Sequence, residues 1–221
     1  MDAKLIALAR AVKARQHLPG PTLWLMSDRD RLPDPGPVLQ RLPRRLAGVV
    51  MREAPPALVE RVGRICQARG FVLLLAGRRL AFPPGLPFRQ RGRHFSRGWV
   101  RQRPAAGAWW TSSAHDAAEA VRALRGRVRA VFLSPLFPTA SHPGAPALGL
   151  LRFLRLCRLL EAKQAQAGRG VIALGGLDGE SARRLGRAPV AGFAAIGAFA
   201  GPVREPPWGR RWQKGRISPK R

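Results

Sequence analysis

The chain has 221 residues, 46% of them hydrophobic, which argues against a wholly disordered polymer or a disulfide-stapled miniprotein. This length fits one large domain or two small ones, and single α/β barrels occupy the same range. Lys and Arg number 40 against 12 Asp and Glu, and the resulting net charge of +28 favours polyanions, phosphorylated metabolites or acidic surfaces as partners.

Only Lys4, Lys13, Lys163, Lys214 and Lys220 are lysines. A coding bias explains arginine in place of lysine, but not the scarcity of acids. Cys66 and Cys157 lie in amphipathic stretches without metal-ligand spacing and read as buried apolar fillers. Met1 to Val12 lacks the apolar core of a signal peptide, and no apolar run is long enough to span a bilayer. The expectation is a cytoplasmic protein without a membrane span.

In chain order, Leu5, Leu8, Ala9 and Val12 fall at helical spacing, and Pro19-Gly20-Pro21 ends that segment. Short apolar runs follow at Leu23–Met26, Gly48–Met51, Phe71–Leu75, Trp109–Ser112, Ala130–Leu133, Val171–Leu174 and Phe193–Ile196, as in strands buried on both faces. Between them, Ala57–Arg69, His115–Leu124, Gly149–Ala167 and Glu180–Leu185 carry apolar residues at three and four spacing. This alternation predicts parallel βαβ units. With a weak strand at Arg93–Phe95 the units number eight and close into a (β/α)8 TIM barrel; the alternative is an open doubly wound sheet. Phe82 to Gly107 has almost no helical periodicity, so one barrel helix is expected to be degenerate there. The predicted organisation is an N-terminal helix in 1–20, the barrel in 21–200 and a disordered, basic, Pro-rich tail in 201–221.

In such a barrel the loops after the strands build the active face. Gly175-Gly176 follows one strand and Ile196-Gly197 the next, and glycine lets main-chain N–H groups approach an anion closely. Paired at adjacent strand ends, these turns predict a phosphate cradle; either one alone would read as a tight turn. A third loop, Ser134 to His142, is stiffened by Pro135 and Pro138 and presents Thr139, Ser141 and His142 to hydrogen-bond phosphate oxygens.

Taken together, these residues resemble the thiamine phosphate synthase and thiazole tautomerase (TenI) family. Ser134 to Gly149 is similar to its Gly-Pro-x-Phe-Pro-Thr loop, Ile172–Leu177 to its Ala-Ile-Gly-Gly-Ile strand, Gly192–Phe199 to its last strand, and Ser113-Ala114-His115-Asp116 with Glu119 to a helix start. The resemblance is good from Ser113 to Phe199 and poor before it. It implies a barrel that joins a pyrimidine diphosphate to a thiazole phosphate and expels pyrophosphate with Mg²⁺. It places the thiazole phosphate on Gly175, Gly176, Ile196 and Gly197, and the diphosphate near Thr139 and Ser141. Arg52 falls on the arginine of a Gln-Leu-Arg-x-Lys strand end, His115 on a histidine that moves protons in the tautomerase branch, His142 on a loop lysine, and His94 on the histidine of Gly-Val-His-Leu.

Departures accompany the match. Val50 and Ala54 replace the family's Gln and Lys, and Ala76-Gly77-Arg78 replaces Asn-Asp-Arg. No Asp or Glu lies between Arg61 and His115, and Mg²⁺ prefers carboxylates; the metal site reads as dismantled, with Arg78 the first candidate to neutralise a diphosphate in its stead. Asp28 and Asp30, after the first strand, read as solvated loop residues. The leading expectation is therefore a synthase-like enzyme of thiamine phosphate assembly whose substrates are phosphorylated small molecules. The alternatives are a non-catalytic phosphometabolite binder, a tautomerase-like isomerase and, third, a nucleic-acid binder acting through the basic surface and the tail with Trp208 and Trp212.

Overall fold

A computed structural model of the chain describes residues 1–16, 20–77, 80–100, 107–139, 146–164 and 170–200. Its elements run α1 (Ala3–Gln16), β1 (Leu23–Met26), α2 (Gly36–Arg41), β2 (Ala47–Arg52), α3 (Pro56–Arg69), β3 (Val72–Ala76), a 3₁₀ turn at Phe88–Gln90, β4 (Arg91–Phe95), β5 (Trp109–Ala114), α4 (Ala117–Arg125), β6 (Ala130–Leu133), α5 (Gly149–Gln164), β7 (Gly170–Leu174), α6 (Gly179–Arg183) and β8 (Gly192–Ala195). The eight strands pair in parallel in chain order, and β8 returns to β1, closing a (β/α)8 barrel. The closed ring excludes the open sheet.

Local chemistry starts and stops these elements. Pro56 sits in the first turn of α3, where its missing N–H costs nothing, and Gly70 ends the helix in the left-handed region at φ 69°. The Asp116 carboxylate caps α4 by accepting from Glu119 N–H, and Asp178 with Ser181 forms a capping box on α6. Helix α1 buries Leu5, Ala9 and Val12 against α6 and β8.

Inside the ring, aromatic groups form a column. Trp109 meets Trp24 edge-on at 5.9 Å, Trp24 meets Phe132 at 5.3 Å, and Phe132 meets His94 at 5.0 Å. Met26, Val50, Leu74 and Ile172 fill the space around it. Two glycines make room: a Cβ on Gly48 would lie 2.4 Å from the Trp24 ring, and one on Gly92 would lie 1.6 Å from the Trp109 carbonyl. The barrel is thus a packed core.

The weak strand expected at Arg93–Phe95 is β4, in full register with both neighbours. Sequence periodicity missed α2, whose six residues include Pro37 and bury only Gly36 and Leu39, too little to show a repeat. The expected gap is wider than one helix: among the described residues no α-helix follows either β3 or β4. The expected tail, 201–221, lies outside the described residues. No described helix is long and apolar enough to cross a membrane. Because Phe132 is fully buried in the column, Phe132→Ala should cost about 3–5 kcal/mol of unfolding free energy in urea titrations.

Candidate active site

At the carboxyl-terminal rim, the segments after β5, β6 and β7 are laced together by main-chain hydrogen bonds. Ser134 N–H donates to Ala114 C=O at 2.9 Å, Leu136 N–H to Leu174 C=O at 2.8 Å, and Phe137 N–H to Gly175 C=O at 3.1 Å. The β7 turn lies so close to the β6 loop that a Cβ on Gly175 would come 2.7 Å from Pro135 Cα, and one on Gly176 would come 2.5 Å from Pro138 C=O. Both glycines have positive φ, 98° and 63°, so shape alone already requires them. After β8, Ile196 C=O accepts from Phe199 and Ala200 N–H, and Gly197 is exposed with open space where a side chain would stand. Among the described residues no hydrogen bond uses the main-chain N–H of Gly175, Gly176, Ile196 or Gly197. Two neighbouring strand ends therefore offer unpaired amide donors, the chemistry an anion needs.

Across the rim, the ends of β1 and β2 form a clamp. Arg52 Nε donates to Ser27 C=O at 2.8 Å and its Nη2 to Asp28 Oδ2 at 3.1 Å, while Arg31 reaches both Asp28 oxygens at 3.2 and 2.8 Å. The Arg31 guanidinium holds the Asp28 carboxyl down to about pKa 2. This corrects the expectation that Asp28 is solvated, since its side chain is only 18% exposed. Arg52 keeps its side chain 41% exposed, with Nη1 unpaired among the described residues.

His94, at the top of the aromatic column, is buried and shares a 2.8 Å hydrogen bond with Thr111 Oγ1 through Nδ1. Burial, with the Arg52 charge adding to it, lowers its pKa to about 3, so the ring is neutral at physiological pH. His115 stands at the foot of α4, its Nδ1 2.8 Å from Glu119 Oε2, which also accepts from His115 N–H. Thr139 is half-buried on the β6 loop. The rim thus gathers Arg52, His115, Thr139, Gly175, Gly176, Ile196 and Gly197, whereas Arg78, Ser141 and His142 lie outside the described residues.

A divalent ion does not suit this rim. Asp28 is saturated by two guanidinium groups, the end of β3 offers Ala76 and Gly77, and among the described residues no cluster of three His, Cys, Asp or Glu groups could hold a metal. Of the arginines between Arg61 and Arg103, several are tied elsewhere: Arg61 to Asp34, Arg64 to Glu60, and Arg93 to Gly77 C=O and the Phe82 ring. Sequence reasoning passed over Ser27 and Arg31 and read Asp28 as solvated, because their link to Arg52 crosses two strands that no local spacing connects.

Residues 96–199 match the family model described as thiamine monophosphate synthase (TMP-TENI). The fold is similar to a solved structure of a thiamine phosphate pyrophosphorylase from Pyrococcus furiosus, with a TM-score of 0.55 and 16% identity over 83% of this chain and 90% of that one. Among curated proteins no sequence matches.

Because folded His94 stays neutral down to about pH 3 while an unfolded histidine takes up its proton near 6.5, this group's contribution to stability is complete above pH 6.5 and declines as pH falls toward 3. The slope should be about 1.4 kcal/mol per pH unit. His94→Gln, which can keep the Thr111 bond, should remove that slope in denaturation series between pH 7 and pH 4. One imidazole NMR signal, absent from the variant, should fail to titrate from pH 8 to 5.

Proposed function

We propose that this chain is a divergent member of the thiamine monophosphate synthase (TenI) family and that it joins a hydroxymethylpyrimidine diphosphate to a thiazole phosphate with release of pyrophosphate. The observation that carries this reading is the set of amides on Gly175, Gly176, Ile196 and Gly197 that have no partner among the described residues, at adjacent strand ends within the segment that matches the family. These donors would grip the thiazole phosphate and aim its ring nitrogen across the mouth. Thr139 and Ser141 would hold the diphosphate, with Arg52, Arg78 and His142 supplying positive charge. In the reaction the methylene C–O bond breaks, its electron pair leaves with pyrophosphate, and the thiazole nitrogen pair forms the new C–N bond.

Mg²⁺, which the family implies, finds no fitting set of carboxylates among the described residues, so charge neutralisation would fall to guanidinium groups. The buried column beneath the mouth keeps water from the carbon that becomes cationic. A tautomerase-like proton transfer draws support from the His115–Glu119 pair, since the carboxylate fixes one ring nitrogen and leaves the other to exchange a proton.

Purified full-length protein given both substrates should release pyrophosphate, and chelation of divalent ions should leave diphosphate binding intact. Arg52→Ala should lower kcat/KM by about 100-fold or more. Binding of thiazole phosphate without turnover would instead identify a non-catalytic binder, and strict Mg²⁺ dependence of diphosphate binding would refute the arginine substitution.

A further inference from the structure

The end of the barrel opposite the candidate active site is hollow and cationic. A cavity of about 680 Å³ lies beneath the amino-terminal ends of β1 to β5, lined by Lys13, Arg44, Arg45, Arg69, Arg89 and Gln90, with Trp109 beside them. The floor of a TIM barrel ordinarily serves stability, and a cluster of like charges serves that poorly. Yet the approaches to β2, β3 and β4 each bring cations here, and α1 adds Lys13.

Among the described residues no carboxylate lies within 4.0 Å of any of these five cationic groups. Two polar atoms of lining residues, Arg69 Nε and Gln90 Oε1, are buried without a hydrogen-bond partner, an unusual state for such groups in a folded protein. Arg45 holds the left-handed region at φ 58°, which disfavours any residue with a side chain, and Gly70 leaves space where a Cβ would crowd the Arg45 Cγ. Lys13 is fixed through a 2.8 Å bond to Gly20 C=O, and burial lowers its pKa. The wall at Trp109 is braced, since its indole N–H donates to Arg89 C=O at 3.1 Å and its ring is covered by Arg129.

We propose that this floor is a second anion site, taking a small ligand with two or more linked phosphate groups. A terminal phosphate group carries about −1.5 to −2 charge, so a chain of two or three linked groups offsets most of the charge of the five cations present. Planar guanidinium forks suit their oxygens. The volume is that of a small-molecule site. A nucleic-acid strand fits less well: strands are gripped by extended grooves with free aromatic faces, whereas Trp109 already carries Arg129. This inference does not depend on the activity proposed for the other rim.

The test is calorimetric titration of the full chain with inorganic tripolyphosphate at about 0.15 M salt. Arg44→Gln with Arg89→Gln removes two charges, and the Trp109 anchor on the Arg89 carbonyl remains. Arg45→Gly removes a third charge and relieves the positive φ, so it should fold at least as well as the parent. Made in an Arg52→Ala background, which weakens the opposite rim, each variant should bind about ten-fold more weakly or worse, while Arg158→Gln, exposed on α5, should stay within about two-fold. Three results would overturn the proposal: no binding by the Arg52→Ala protein, no loss in the floor variants, or displacement of tripolyphosphate by a single-stranded RNA at lower phosphate concentration.

Discussion

The edge-on column of Trp109, Trp24, Phe132 and His94 is the constraint on which the rest of the molecule depends. Eight parallel strands enclose a lumen that must be filled, and here large rings fill much of it, with Gly48 ceding space to the Trp24 ring and Gly92 letting the Trp109 main chain come close. A filled lumen cannot pass or hold a ligand along its length. Chemistry is confined to the two ends, and the ends differ: the upper offers main-chain amides and a polar clamp, the lower a ring of cations.

The scarcity of acids takes on structural meaning once their positions are known. Asp116 and Asp178 cap helices, and Asp2 accepts from both Leu5 and Gly179 N–H. Asp28 braces the clamp, while Asp34 and Glu60 hold Arg61 and Arg64. These carboxylates are engaged in architecture, which leaves the cations at the lower end without a carboxylate partner among the described residues. Positive charge is therefore focused at that concave end as well as spread over the surface.

The strands were legible because each is an apolar run buried on both faces, and β1 and β6 coincide with the runs read from sequence. Strand β4 was harder, since Arg91-Gly92-Arg93 reads as loop; its inward residues are a glycine yielding to Trp109 and a histidine, neither of which marks a strand. The glycine turns were legible at the candidate site because steric need and amide exposure coincide on the same residues. The Ser27–Asp28–Arg31–Arg52 clamp was not, for it exists only where β1 and β2 end side by side. The cationic floor was equally hidden: its members are scattered from Lys13 to Arg89 and meet only when the ring closes.

The lacing of the β6 loop to the β7 turn has a mechanical consequence. Leu136 and Phe137 donate into Leu174 and Gly175, while Leu148 and Gly149 return to Pro135 and Leu136, so the two segments form a single body with no free joint between them. Residues 134–137 cannot swing independently of the β7 turn, and any shift of that turn drags Leu136 and Phe137 with it.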